Sequence, residues 1–236
     1  MSRYVDVIYP PDAKNQYPEL LARHLYERFM QPYNENGNVP KILDIGCSTG
    51  KALANFAKCG NLDLYGVDLR EEEVPSSVTF KTCNIETEKL PFEDNTFDII
   101  YNKSVLEHVI NTENFVKESL RVLKPGGIFI GLTPDWETTY KIFWDDYTHV
   151  KPFTKKGLRD CLRIIGFEQS ECDLFYQLPF TWKSNYLKII PIIVAFIFPD
   201  FMKWKTREHR NGKDFKLIRF SKERMLLSYG YKGKQK

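Results

Sequence analysis

The sequence predicts an α/β fold: a Rossmann-like, doubly wound and mostly parallel seven-stranded sheet with helices on both faces and an antiparallel last strand. Two observations predict it. Between residues 39 and 133 short apolar runs of β-type residues alternate with amphipathic stretches, as parallel strands with helical crossovers require. The first run leads directly into a glycine turn that opens a helix. With 236 residues, 42% of them hydrophobic, the chain is long enough to bury one core as a single domain.

The apolar runs give the strands in chain order. They are residues 41–45, 62–67, 78–83, 97–101, 127–132, 167–176 and 225–231. Helical spacing predicts an N-terminal covering helix at 16–31 and further helices at 51–58, 112–123 and 154–165. Residues 124–127, Lys-Pro-Gly-Gly, are expected to close the third of these helices, while Thr154 and Gly166 are expected to cap the fourth.

A long insertion, residues 177–216, separates the last two strands, where a hairpin would need about two to five residues. Its apolar stretch, 187–199, is shorter than the ~20 residues that span a bilayer, and it contains Pro191. Trp204 and several lysines and arginines follow it. This composition predicts either peripheral contact with an anionic membrane through residues 187–213, or a dimer interface, or a lid packed on the sheet.

Composition argues against several classes of protein. The 34 basic and 31 acidic residues leave a net charge of +3, which does not favour nucleic-acid binding. Five cysteines without a Cys-x-x-Cys pair argue against a disulfide framework and a structural zinc site, and no metal site is predicted. An acid and two adjacent prolines stand where a signal peptide would have its apolar core. We expect a cytoplasmic protein, with contact at the inner face of the membrane and oligomer formation left open.

The turn at residues 41–50, Lys-Ile-Leu-Asp-Ile-Gly-Cys-Ser-Thr-Gly, predicts a ligand site at the end of the first strand. Gly46 and Gly50 let the backbone approach a ligand, and the helix that follows presents N–H groups. A dinucleotide fingerprint would have glycine in place of Ser48, and Asp44 would repel a pyrophosphate. The carboxylate of Asp44 suits a ligand that carries an ammonium or a sulfonium.

This turn and the landmarks after it resemble the class I S-adenosylmethionine-dependent methyltransferases of the small-molecule type. The later landmarks are Asp68 after Tyr-Gly-Val, then segments 90–92, 97–100, 104–109 and 121–127, in the order usual for the family. The resemblance implies S-adenosylmethionine as cofactor, with Asp44 near its cationic amino-acid part, Asp68 on the ribose, and Asn84 with Ile85 at the adenine. The cofactor-binding residues that it implies are Asp44, Gly46, Cys47, Gly50, Asp68, Leu69, Asn84, Ile85 and Asn102, with Lys103 beside the last.

Catalytic candidates follow the fourth and fifth strands. His149 lies in a segment with Asp145 and Asp146, where acceptors enter, and a histidine that titrates near neutrality can take the proton of a hydroxyl nucleophile. Either aspartate is expected to orient it. His108 is the second candidate base. The alternatives are a polar loop that caps the next helix for His149 and a half-buried structural histidine for His108.

The predicted function is S-adenosylmethionine-dependent methyl transfer, to an oxygen of a small-molecule, glycan or lipid-linked acceptor. A nicotinamide-dependent oxidoreductase is the alternative enzyme, disfavoured by the missing third glycine. A methyltransferase-like binding protein without activity is the alternative outside enzymology, and the retained Asp44 and Asp68 argue against it.

Overall fold

The computed structural model describes residues 16–70, 73–199 and 216–234. Seven strands form one sheet in the order β3-β2-β1-β4-β5-β7-β6. Neighbours from β3 to β5 pair in parallel, and β7 is antiparallel to both β5 and β6, which confirms the predicted fold class. The strands are β1 Lys41–Ile45, β2 Asp63–Asp68, β3 Val78–Thr82, β4 Phe97–Lys103, β5 Leu123–Pro134, β6 Glu168–Phe175 and β7 Met225–Tyr231.

Helices cover both faces of the sheet. On one face the N-terminal helix and the helix after β1 pack over residues such as Ile42 and Ile99. On the other, Phe115 and Leu158 from two later helices pack over Leu43. The helices are α1 Tyr17–Leu25, α2 Lys51–Ala57, α3 Thr112–Val122, α4 Trp136–Thr139, α5 Lys155–Ile165, α6 Ile189–Ile197 and α7 Lys216–Lys222.

Most predicted bounds lie within two residues of the observed ones, and two predictions are wrong by more. Residues 124–127 do not close a helix, because α3 ends at Val122 and β5 begins at once: Leu123 pairs with Phe97, and Gly126 N–H donates to the carbonyl of Lys232 at 2.8 Å. The N-terminal α-helix ends at Leu25 and continues as a π-helical turn to 30 and a 3-10 helix to 37. The caps of α5 are as predicted, since the Thr154 hydroxyl accepts from Gly157 N–H and Gly166 is left-handed.

The described part of the insertion, residues 177–199, contains two 3-10 turns and the apolar helix α6. The Nζ of Lys222 on α7 donates to the carbonyl of Ala195 at 2.9 Å, which ties the two helices together. Phe196 is 91% exposed. No helix within the described ranges has the length and apolar character to cross a membrane. The basic residues predicted to contact a membrane, up to 213, lie outside the described residues.

Candidate active site

The turn after β1 has a backbone that requires glycine. Gly46 and Gly50 have φ of +79° and +69°. A Cβ on Gly46 would lie 2.4 Å from Cγ2 of Val105. The N–H groups of Gly46 and Cys47 donate to the carbonyl of Val67 at 2.8 and 3.1 Å. These bonds hold the turn over the end of β2, so that β1 and β2 present one continuous edge to a ligand.

Asp68, the last residue of β2, holds this edge together. Its Oδ2 accepts from the N–H of Ser48 at 2.8 Å, and its Oδ1 accepts from the N–H of Leu69 at 2.8 Å. Each carboxylate oxygen can accept a second hydrogen bond. The geometry therefore places a fixed, half-buried carboxylate beside the glycine turn, as binding of a vicinal diol requires.

Below the turn, Asp44 is buried at 3% exposure. Burial raises the pKa of Asp44 to about 8; Asp68 raises it further and Lys103 opposes the shift. Burial lowers the pKa of Lys103, and the carboxylates of Glu107 and Asp44 counteract that effect. Asn102 is fully buried, its Nδ2 donates to the carbonyl of Ile130, and its Oδ1 accepts no hydrogen bond. An ammonium group bound here would pair with the carboxylate of Asp44 and could donate a hydrogen bond to Oδ1 of Asn102. These residues therefore fit the amino-acid part of S-adenosylmethionine.

Replacing Asp44 is expected to stabilise the cofactor-free protein. The pKa of this carboxyl is ~3.9 in the unfolded chain and about 8 in the folded protein. Between these pH values the folded protein keeps a proton that the unfolded chain has lost, so the free energy of unfolding falls as pH rises through that window. Asp44→Asn mimics the neutral acid and avoids this loss. Its melting temperature should exceed that of the wild type by a margin that grows from pH 5 to pH 8 and then levels off. A margin that does not change with pH would contradict the assignment.

The segment after β3 extends the same edge. Cys83 N–H donates to the carbonyl of Asp68 at 2.8 Å. Asn84 Oδ1 accepts from Glu86 N–H at 3.1 Å, and the carbonyl of Ile85 accepts from Asn114 at 2.9 Å. The residues that the family resemblance implies for the cofactor thus lie at or just past the carboxyl ends of four adjacent strands. Their contacts with the cofactor stay predictions.

The two candidate histidines lie together, with their ring centroids 4.8 Å apart. His108 ends a short 3-10 turn after β4, and His149 lies in the loop after β5. Glu107, which is 1% exposed, lies beside them. One carboxylate oxygen of Glu107 and one ring nitrogen of each histidine lie within 4.8 Å of one another. The carboxylate of Glu107 accepts from the hydroxyl of Thr133 at 2.8 Å. Sequence reasoning did not select Glu107.

The two aspartates expected to orient His149 take different positions, and only Asp146 lies within ion-pair distance of its ring among the contacts described. His149 Nδ1 lies 2.6 Å from the carbonyl of Phe143, which orients the ring, while Oδ2 of Asp146 is 3.8 Å from its Nε2. Asp146 is buried and Asp145 is exposed. The Oδ1 of Asp146 accepts from the hydroxyl of Thr148 at 2.7 Å, and that hydroxyl oxygen lies 2.9 Å from Nδ1 of His108. Asp146 therefore lies beside His149 and reaches His108 through Thr148.

A cavity of about 350 Å³ opens beside the carboxyl end of β5. Helix α6 contributes Ile192 and Ala195 to its lining, and the charged lining residues are Glu137, Lys141, Lys222 and Arg224. An acceptor with an apolar portion and a polar group would match this lining.

Comparison with known proteins agrees with this arrangement. A family profile described as a methyltransferase domain matches residues 43–131. Norajmaline N-methyltransferase from Rauvolfia serpentina is 32% identical over 117 residues, which cover 45% of this chain and 40% of that protein. Ubiquinone biosynthesis O-methyltransferase from Roseobacter denitrificans is 28% identical over 163 residues, 60% of this chain and 65% of that protein. The chain spans less than two thirds of the length of these curated relatives.

Solved structures show the same fold at low sequence identity. A chain from the complex between the Haloferax volcanii Trm112 methyltransferase activator and a methyltransferase superposes with a TM-score of 0.63 at 18% identity. The match covers 94% of each chain. The seven-stranded arrangement is therefore shared over nearly the whole length of the chain.

Proposed function

Because this chain belongs to the class I S-adenosylmethionine-dependent methyltransferases, we propose that it methylates an oxygen of an apolar, lipid-like or lipid-linked acceptor. Its cofactor, S-adenosylmethionine, supplies a methyl group on a sulfonium. The observation that carries the proposal is the position of the Glu107, His108 and His149 cluster. It lies past the carboxyl ends of β4 and β5, next to the edge that fits the cofactor.

The residues of this chain have two tasks in such a transfer. The first is to hold the methyl donor and the acceptor in line, because orientation alone can supply ~7–11 kcal/mol of the barrier reduction. The glycine turn and Asp68 hold the donor, and the cavity beside α6 takes the acceptor. The second task is to remove the proton of the attacking hydroxyl, which the histidine cluster performs.

An oxygen acceptor is favoured by the presence of this cluster. A hydroxyl must lose its proton around the transition state, whereas a neutral amine attacks with its own lone pair. Two half-buried histidines and a buried carboxylate in one place provide groups that can hold or accept a proton. The curated relatives methylate different atoms by their names, nitrogen in one and oxygen in another, so this assignment depends on the cluster itself.

Helix α6 supports a lipid-like acceptor. Most of its side chains are large, apolar and exposed, and two of its residues, Ile192 and Ala195, also line the cavity. A helix of this kind at a membrane surface would place the mouth of the cavity near lipid-borne substrates. The exposed apolar residues are Ile189, Ile190, Ile192, Ile193, Phe196 and Ile197.

Cosedimentation with liposomes tests the membrane part of the proposal. Vesicles that contain anionic lipid should retain the wild-type protein, and Phe196→Ser should reduce retention severalfold, since Phe196 is 91% exposed on α6. Ile164→Ser is the matched control, because Ile164 is 84% exposed on α5, away from the insertion. Equal retention of both variants, or a wild-type protein that does not bind vesicles, would contradict membrane contact through α6.

A product-release assay tests the reaction. Purified protein, S-adenosylmethionine and pools of hydroxylated lipids, glycans and small aromatics should release S-adenosylhomocysteine with at least one apolar hydroxyl acceptor. A methyl ether in the product, identified by mass spectrometry, confirms oxygen as the acceptor atom. Turnover only with amines would overturn the oxygen assignment, and cofactor binding without turnover on any acceptor would favour the inactive binding protein.

A further inference from the structure

We propose that Glu107, His108 and His149 form a binding site for one divalent transition-metal ion. Their ligand-type atoms lie within 4.8 Å of one another, and one carboxylate with two imidazoles is a donor set that suits zinc, manganese, iron or cobalt. The cluster draws on two separate segments, the turn after β4 and the loop after β5, which the sheet brings together.

The hydrogen bonds of the two histidines select the nitrogen that a metal needs. The Nδ1 of His149 lies 2.6 Å from the carbonyl of Phe143, and a carbonyl oxygen can only accept. The Nδ1 of His108 lies 3.2 Å from the carbonyl of Thr148 and 2.9 Å from its hydroxyl oxygen, and that hydroxyl donates its own proton to Asp146. Both Nδ1 atoms therefore carry the proton in the neutral ring, and the lone pair of each ring is on Nε2.

Each ligand also has the outer partner that is typical of metal sites. Ligating histidines almost always donate their other N–H to a carbonyl or carboxylate, and ligating carboxylates are themselves hydrogen-bonded. Phe143 and Thr148 supply these partners for the histidines, and the hydroxyl of Thr133 donates to Glu107 at 2.8 Å. Three oriented ligands leave the remaining coordination positions for water or a substrate oxygen, as in catalytic rather than structural sites.

The role of the metal, unlike its binding, rests on the proposed function. An acceptor hydroxyl on the ion would have a lowered pKa and would lose its proton to water before the C–O bond forms. His149 would then act as a ligand and not as the direct base that sequence reasoning expected. Binding can be measured without acceptor or turnover, so a failed methylation assay leaves the metal test intact.

Titration of the chelator-treated full chain with CoCl₂ tests the site. We expect visible absorption that saturates at one equivalent, and calorimetry with ZnCl₂ should give the same stoichiometry. His149→Ala and Glu107→Gln should each weaken binding about 100-fold or more, because loss of an outer partner alone costs about 10–100-fold. Thr133→Val removes only an outer partner and should weaken binding about 10-fold.

His24→Gln is the matched control. His24 lies on α1, stacks on Trp182 and is not one of the three clustered residues, so this variant should titrate like the wild type. NMR of the wild-type protein tests the site without any substitution. Zn²⁺ should shift the ring signals of His108 and His149 and leave the ring signal of His24 unchanged. Absence of saturable binding, or shifts that omit these two histidines, would overturn the proposal.

Discussion

His149→Ala is expected to lower the rate of methyl transfer by roughly 10²–10⁴-fold, the usual contribution of a group that removes a proton in the transition state. Affinity for S-adenosylhomocysteine should stay unchanged, because His149 lies in the loop after β5 and outside the segments that fit the cofactor. Calorimetry with S-adenosylhomocysteine and a product-release assay with an identified acceptor measure the two quantities separately.

The pH and metal dependence of the wild-type rate then distinguishes two roles for this histidine. A direct base gives a rate that rises with pH as its imidazole loses the proton, and His149→Ala lacks that rise. A metal ligand instead gives a rate that a chelator removes and added Co²⁺ restores. His24→Ala serves as control for the loss of a histidine elsewhere. Full turnover of His149→Ala, with an unaltered pH profile, would contradict both roles.

The regular part of the fold could be predicted because each element carries its own signal. The predicted bounds of β1 and β7 match the structure, since both are apolar runs bounded by polar or turn residues. The start of β5 could not be predicted from Lys-Pro-Gly-Gly. Its pairing depends on Asp98, whose carboxylate contacts the Lys124 Nζ at 2.8 Å, and on the distant carbonyl of Lys232.

The candidate site shows the same division. Asp44, Gly46 and Asp68 could be selected because they stand at strand ends with a characteristic spacing. Glu107 could not, because a glutamate between Leu106 and His108 looks like an exposed residue of a helical turn. Its burial comes from Thr133 on β5 and from the N–H of Val150, which donates to its carbonyl at 2.8 Å. Those contacts exist only after the sheet has formed.

Asp68→Ala is expected to weaken binding of S-adenosylhomocysteine by about one to two orders of magnitude, equivalent to roughly 1.5–3 kcal/mol for hydrogen bonds to a charged acceptor. Its carboxylate accepts from the N–H groups of Ser48 and Leu69, so the substitution also releases the glycine turn that it holds.

Calorimetry should show heat with S-adenosylmethionine and none with NAD in the wild type, because the turn lacks the dinucleotide fingerprint and has a buried acid below it.

Asp63→Ala is the matched control, since Asp63 begins the same strand and its carboxylate accepts only from the Tyr65 hydroxyl among the hydrogen bonds described, at 3.0 Å. It removes the same carboxylate from the opposite end of β2 and should leave cofactor affinity within about twofold of wild type. Because both variants change the net charge equally, a general electrostatic effect would weaken both alike. Unchanged affinity in a folded Asp68→Ala protein, or tighter binding of NAD than of S-adenosylmethionine, would mean that this edge of the sheet holds a different ligand.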